Sequence, residues 1–398
     1  MLMPCVLLAM SLGFCLYSYI GYPAILKLLS LFRRSSRPAD QPKAWPLISI
    51  TIPVHNEAGV IAGTLERILE LDYPAERCQI LVVSDASTDG TDDTVSRFVT
   101  RGVELLRLSQ RMGKTAAENA ARAHLRGDII VNTDASVRIH PQALKPLVAA
   151  LADPTVGVAS GRDVSVARIE TEVNLGELAY VDYEMWVRDL ETRLCGIVGA
   201  SGCLYAIRAE LHRQFLREGL SRDFAAALIA REQGYRAVSV NQAVCFVPRT
   251  SSLGREYRRK VRTMVRGVQT LYYKRHLLNP ARYGLFAWML FSHKLCRWLV
   301  PWALAVALGS LALLSIGTPW ARVALGLMAG AGALAACSWL WPAGRTVPQL
   351  FALPAYAMAG MVAALHAWVG ALAGDQMLMW EPTRRPASPS AAATEHHG

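Results

Sequence analysis

Residues 2 to 31 (LMPCVLLAMSLGFCLYSYIGYPAILKLLSL) contain one lysine and no acid. About 20 apolar residues suffice for a helix to cross the hydrocarbon core of a bilayer, and this run exceeds that. Three more apolar runs lie at the far end, Trp302 to Ile316, Ala324 to Trp341 and Leu350 to Ala373, each near spanning length. The chain therefore reads as one sizeable soluble domain, residues 43 to 247, held between lipidic ends, in keeping with a hydrophobic fraction of 53%. Segment 1–32 has neither a positive leading region nor a small-residue cleavage site, so it reads as an uncleaved anchor. Arg33, Arg34 and Arg37 follow it and put the soluble domain in the cytoplasm by the positive-inside rule. Residues 301–375 are expected to hold the distal spans, and Gly284 to Leu299 is a candidate for bending into the membrane. One anchor and three distal spans leave the C-terminus outside, whereas Arg384 and Arg385 in the tail argue for inside. That tail, residues 383–398, reads as disordered.

The formal net charge of +11 has a definite owner. Between Pro248 and His276, nine Lys or Arg face one Glu. Leu253, Tyr257, Val261, Met264, Val265, Val268 and Leu271 recur there at helical spacing, which predicts an apolar face beneath a basic one. Because this helix directly precedes the distal apolar runs, residues 248–300 are read as interfacial helices with membrane lipid as their partner, and nucleic acid is excluded. The eight cysteines form no CxxC pair and no zinc spacing, as expected of free thiols in a reducing compartment.

Within the soluble part, LISITIPV (47–54), QILVVSD (79–85), VELLRLS (103–109) and DIIVNTD (128–134) read as strands, with helical segments between them. Strands and helices alternating at this pitch predict an α/β fold with a mostly parallel sheet and helices on both faces. Polar residues then fall at strand ends: His55, Asn56 and Glu57 after the first strand, Ser84 and Asp85 after the second, and Asp134 after the fourth. Arg111, Gly113 and Lys114 open a helix nearby. All four clusters converge on one sheet edge, where a nucleotide lies in folds of this class. Neither GxGxxG nor a P-loop occurs, which argues against a dinucleotide or NTPase site. Taken singly each residue has a plainer role, Glu57 as a first-turn acid, Asp85 and Asp134 as turn residues, Lys114 as a solvated side chain.

As an ordered series, PVHNEAGVI, VVSDASTDGT, RMGKTAAENAA and NTDAS resemble the family 2 glycosyltransferases, whose nucleotide-binding domain has the GT-A fold. Downstream, VGASGCLYAIRAEL, RDFAAALIAREQGYRAV and SHKLCRWLVPW are similar to the membrane polysaccharide synthases that make cellulose, hyaluronan and poly-N-acetylglucosamine. The resemblance implies an inverting transfer from a nucleotide diphosphate sugar, expected to be uridine-linked, onto a growing polysaccharide or glycan. It assigns donor contacts to Pro53, Glu57, Asp85 and Lys114. Asp134 corresponds to the first acid of the family's DxD, here followed by Ala135 and Ser136, and implies a divalent cation, Mg2+ or Mn2+. Asp223 in SRDF matches the acid that serves as base, with Arg222 in place of the acid before it; helix capping is the plainer role for Asp223. Gly199, Ala200, Ser201 and Gly202 would line the acceptor path, or make only a tight turn. The family's QxxRW is altered: anchoring on Arg266 and Gly267 sets Lys260, Thr263 and Met264 against it, with Arg262 the neighbouring substitute for the diphosphate-binding arginine. Two readings compete, a single addition to a lipid-linked acceptor and a non-catalytic membrane scaffold. The sugar, the linkage and any export or assembly partner stay open.

Overall fold

The computed structural model describes residues 2–33, 42, 44–166, 175–248, 253–339, 341, 349–375, 377 and 379. The expected tail at 383–398 lies outside these residues, as do Arg34, Arg37 and the start of the basic segment at 249–252. Eight strands form one sheet: β1 (Ile48–Val54), β2 (Cys78–Ser84), β3 (Val103–Arg107), β4 (Ile129–Thr133), β5 (Arg138–Ile139), β6 (Val156–Val166), β7 (Leu204–Arg208) and β8 (Arg236–Pro248). Their order is β3-β2-β1-β4-β7-β6-β8-β5. β1 pairs in parallel with β2 and β4, β2 with β3, and β6 with β8, while β7 runs antiparallel to both its neighbours.

The period-2 rule explains the layers. Ile48, Ile50, Ile52 and Val54 point to one side with Ile80, Val82 and Val131, whereas Leu81, Val83 and Ile130 point to the other with Val158, Tyr205 and Ile207. Every residue of β1 is buried, as a central parallel strand covered on both faces requires.

Four helical stretches, Leu2–Leu31, Leu285–Ser315, Pro319–Ser338 and Pro354–Ala373, are long and apolar enough to cross a membrane. The second begins at Leu285 rather than at residue 301, because its first turns are anchored to the soluble domain. His293 Nδ1 lies 2.5 Å from Glu191 Oε1 and Nε2 lies 2.8 Å from Glu184 Oε1, while Arg297 donates to Glu184 Oε2 at 2.7 Å. These contacts form where the backbone widens into a π-helical turn over Phe291–Cys296. Tyr22 of the first helix donates to Glu191 Oε1 at 2.5 Å, so both ends of the chain meet on the Leu175–Leu194 helix.

The basic helix spans Leu253–Tyr273, and its apolar face is occupied differently from the expectation. Val261 and Val265 are buried against Ala363 and Ala367 of the Gln349–Ala373 helix, and Tyr257 hydrogen-bonds His366 at 3.0 Å. Small alanines let the two helices approach closely, so protein covers this part of the face. All eight cysteines are free.

Candidate active site

A cavity of about 990 Å3 opens at the strand ends. Pro53, Glu57, Lys114, Asp134, Arg262, Asp223 and the loop Gly199–Gly202 all line it. Asp85 does not. It is fully buried at the end of β2, where Oδ1 accepts the Met112 N–H at 2.7 Å and Oδ2 the Gly113 N–H at 2.8 Å. Gly113 has φ +96°, a left-handed value that suits glycine and turns its N–H back onto the carboxylate. Asp85 thereby fixes the loop from which Lys114 opens its helix.

Two non-glycine residues beside it, Asn56 (φ +53°) and Ala86 (φ +52°), also adopt left-handed backbone. Such conformations cost roughly 1–3 kcal/mol each and cluster at functional sites. Asn56 Oδ1 accepts the Thr88 N–H at 2.8 Å, which ties the loops after β1 and β2 together.

Asp134 leaves β4 partly exposed to the cavity and pairs with Lys114 Nζ. Burial works against the Lys114 proton, but Asp134, Glu118 and Asp223 outweigh it and hold the ammonium above its ordinary value. Glu118 stands one helical turn beyond Lys114, is 1% exposed and also lines the cavity. Burial pushes its carboxyl up, against the pull of Lys114 and Arg222. Among the described residues, no three His, Cys, Asp or Glu side chains converge as a ready-made metal cage.

Across the cavity, the Arg222–Glu232 helix presents Asp223. Ser221 Oγ donates to its Oδ1, and Oδ2 lies where a Cβ on residue 202 would sit only 2.7 Å away. Gly202 is thus the residue that lets the carboxylate lie against the Gly199–Gly202 loop. Arg222 turns the other way: its guanidinium pairs with Glu118 at 3.3 Å and donates to Asn119 Oδ1 and to the His212 carbonyl. It does not stand beside Asp223 as a counter-charge. Glu210 and Glu218, the acids that precede Asp223 in the sequence, do not line the cavity.

On the basic helix, Arg262 and Arg266 are one turn apart and both line the cavity, so its basic side faces the site. Arg266 Nη2 donates to Thr115 Oγ1 at 2.5 Å and to the Leu220 carbonyl at 2.6 Å. Of the residues set against QxxRW, Thr263 lines the cavity, Lys260 lies 3.5 Å from the Tyr356 ring centroid and Met264 packs on the Val261–Ala363 cluster.

Glu118, Arg188, Arg266 and Lys294 are cavity residues that the sequence reading did not single out. For Glu118 a signal existed, its i,i+4 spacing from Lys114, which puts both on one helix face. Arg266 carries the same signal, one turn from Arg262, whereas Arg188 and Lys294 arrive from distant helices and carry none.

Residues 49–214 match the family model Glycosyl transferase family 2. A solved structure, the mannosyltransferase PcManGT from Pyrobaculum calidifontis in complex with GDP-Man and Mn2+, superposes with TM-score 0.70 at 25% identity, covering 93% of this chain and 99% of that one. A beta-monoglucosyldiacylglycerol synthase of Nostoc sp. is 25% identical over 45% of this chain and 40% of its own length. An N-acetylglucosaminyltransferase of Rhizobium sp. is 24% identical over 61% of this chain and 58% of its own. The chain thus spans less than two thirds of either curated relative. Family model, sheet order and superposition agree: residues 49–214 carry the signature of glycosyltransferase family 2, on a GT-A fold.

Proposed function

We propose that this protein transfers a sugar, with inversion, from a nucleoside diphosphate sugar to an acceptor presented at the cytoplasmic face of a membrane that its four apolar helices cross. One observation carries the reading: a single cavity holds a carboxylate–lysine pair at the end of β4 on one side and an ionisable carboxylate against a glycine-rich loop on the other.

Asp134 fits a hard divalent ion. It offers one carboxylate at the cavity surface with no acid two residues on, and Mg2+ or Mn2+ is commonly held by one or two carboxylates with substrate phosphates and water filling the other positions. When bound, the ion neutralises charge on the departing diphosphate. Lys114, Arg262 and Arg266 supply the remaining positive charge. Glu57 and Pro53 wall the nucleotide side, and Asp85 keeps Lys114 in place through the backbone of Met112 and Gly113. The attacking hydroxyl loses its proton to Asp223, whose unshared oxygen edge borders Gly202. The donor of PcManGT is GDP-linked, so the base could be guanine as well as the expected uracil.

As to acceptor, lengthening of a glycan and a single addition to a lipid both follow from the chemistry. A specific observation favours the lipid: Lys294 and His366, on two of the candidate spans, line the same cavity, as does Met377 just beyond the last of them. Membranes incubated with a panel of labelled nucleotide sugars test both. One added sugar on an extractable lipid supports this reading, a polymer ladder supports glycan lengthening, and no turnover of any donor refutes the transferase.

A further inference from the structure

Phe224 follows Asp223 directly on the Arg222–Glu232 helix, is 7% exposed and does not line the cavity. Its ring is held from three directions. A Cβ on Gly199 would lie 3.1 Å from Phe224 Cδ2, so the Gly199–Gly202 loop starts in close contact with the ring. Lys294 Nζ stands 5.7 Å from the ring centroid. The Trp298 indole meets the ring edge to face, with centroids 6.0 Å apart and planes at 87°, a favoured aromatic geometry. Lys294 and Trp298 both belong to the candidate span Leu285–Ser315. A helix apolar enough to cross a membrane therefore grips the residue next to Asp223.

Trp298 in turn sits in a slot that the basic helix leaves open. A Cβ on Gly267 would lie 2.9 Å from Trp298 Cζ2 and 3.1 Å from Cη2. Carbon atoms rest at about 3.5–4.0 Å, so any larger residue at 267 would drive the indole off its place. Gly267 is not among the glycines with positive φ, so it supplies space and not backbone freedom. The Trp298 carbonyl accepts Trp368 Nε1 at 2.8 Å, from the last candidate span. The same stretch of basic helix holds the start of the Asp223 helix: Thr270 Oγ1 accepts the Ser221 N–H at 2.9 Å, and Arg266 Nη2 donates to the Leu220 carbonyl at 2.6 Å. The carboxylate has little slack, since its Oδ2 already lies against Gly202. Ordinary core packing could be placed anywhere along this helix; here it falls one residue from the acid.

We propose that Trp298 is a positioning residue, which through Phe224 sets the place of the Asp223 carboxylate, so that transfer depends on how the Leu285–Ser315 span is seated on the catalytic domain. Trp298 does not line the cavity, so it acts through Phe224 and not on a substrate. Misplacement of a reacting group by about 1 Å can cost about 10²-fold in rate, which makes such a contact consequential. The assignment rests on the reading of Asp223 as base.

The test uses the full chain in detergent micelles with a nucleotide sugar that it turns over, and donor binding is followed by titration with the nucleoside diphosphate. Trp298→Ala and Gly267→Ala should each lower kcat about 10- to 100-fold while the diphosphate is bound as tightly as by the wild type. Phenylalanine at 298 is the smaller ring that the added methyl leaves room for, so Gly267→Ala combined with Trp298→Phe should regain most of the kcat lost in Gly267→Ala alone. Retained nucleotide binding shows that a variant is folded, and should Trp298→Ala lose it, the Gly267→Ala comparison decides. In an Asp223→Asn background Trp298→Ala should lower kcat further by less than about twofold, because residues that act as a unit are not additive. A loss from a loosened fold would persist in that background. An unchanged kcat in both single variants, no recovery in the combined variant, or a full further loss on Asp223→Asn overturns the proposal. Near wild-type transfer by Asp223→Asn instead fails the reading of Asp223 as base, and the proposal with it.

Discussion

The two sides of the cavity are built on different principles. On the proposed donor side the parts are held locally: Asp85, behind the cavity wall, accepts two backbone N–H groups, and Asp134, just past β4, pairs with Lys114. Charge there is balanced over short range. On the proposed acceptor side, long side chains such as Arg188, Arg262 and Lys294 reach in from three helices. The difference teaches that strand ends set side chains by local register, while packed helices set them by how distant segments cross. The Glu118–Arg222 pair joins the two, one partner from each side.

The largest effect is expected at the acceptor side's own carboxylate. Asp223→Asn keeps the shape and removes basicity, so transfer should fall about 10²- to 10⁴-fold while donor binding, followed by titration with the nucleotide diphosphate, is retained. Loss of donor binding as well would show that the two sides are not separable. Next comes the joint. With Glu118 and Arg222 both nearly excluded from solvent, Arg222→Met leaves Glu118 with Lys114 as its remaining cation and should lower stability by up to about 3–5 kcal/mol in chemical denaturation. Adding Glu118→Gln should restore much of it; if it does not, the pair is not what couples the sides.

On the donor side, Asp134→Ala should reduce divalent-stimulated turnover about 10²- to 10³-fold, comparable to loss of one preorganised electrostatic group in an active site. A variant with unchanged activity and unchanged Mn2+ titration would remove Asp134 from the metal assignment.

The smallest effect concerns His212, buried behind Arg222 with Nε2 3.3 Å from Asn132 Oδ1. Burial first, then Arg222, Arg122 and Arg213, hold its pKa well below the ordinary 6.5. The unfolded chain therefore binds the extra proton first, and the stabilising contribution, complete above pH 6.5, declines as the pH falls below it. The slope should approach about 1.4 kcal/mol per pH unit. His212→Gln should flatten it; an unchanged slope would move the effect to another group.

The donor side was largely legible from sequence because it follows local rules. Residues 48 to 54 form an unbroken apolar run that only a covered parallel strand accommodates, and strand alternation then dictates where the polar residues must emerge. Asp85 shows the limit of that logic, since position puts it at the right strand end but not whether its oxygens face a ligand or a loop. Of the opposite wall, sequence pointed only to the Gly199–Gly202 loop and Asp223, which do line the cavity. Arg188 and Lys294 depend on how helices distant in sequence cross, which no periodicity records. The basic segment forms the helix that its spacing predicts, but part of its apolar stripe meets the alanines at 363 and 367, which such a stripe fits as readily as it would fit lipid.

The cover over that stripe has a consequence for biosynthesis. A ribosome delivers the whole sheet, Asp134 and Asp223 long before residue 363, so the donor side can fold early. The cavity wall is finished only when His366 and the helix that carries it have been released and docked on Val261 and Val265. Until then the nascent chain is a partly assembled vessel with its far wall missing.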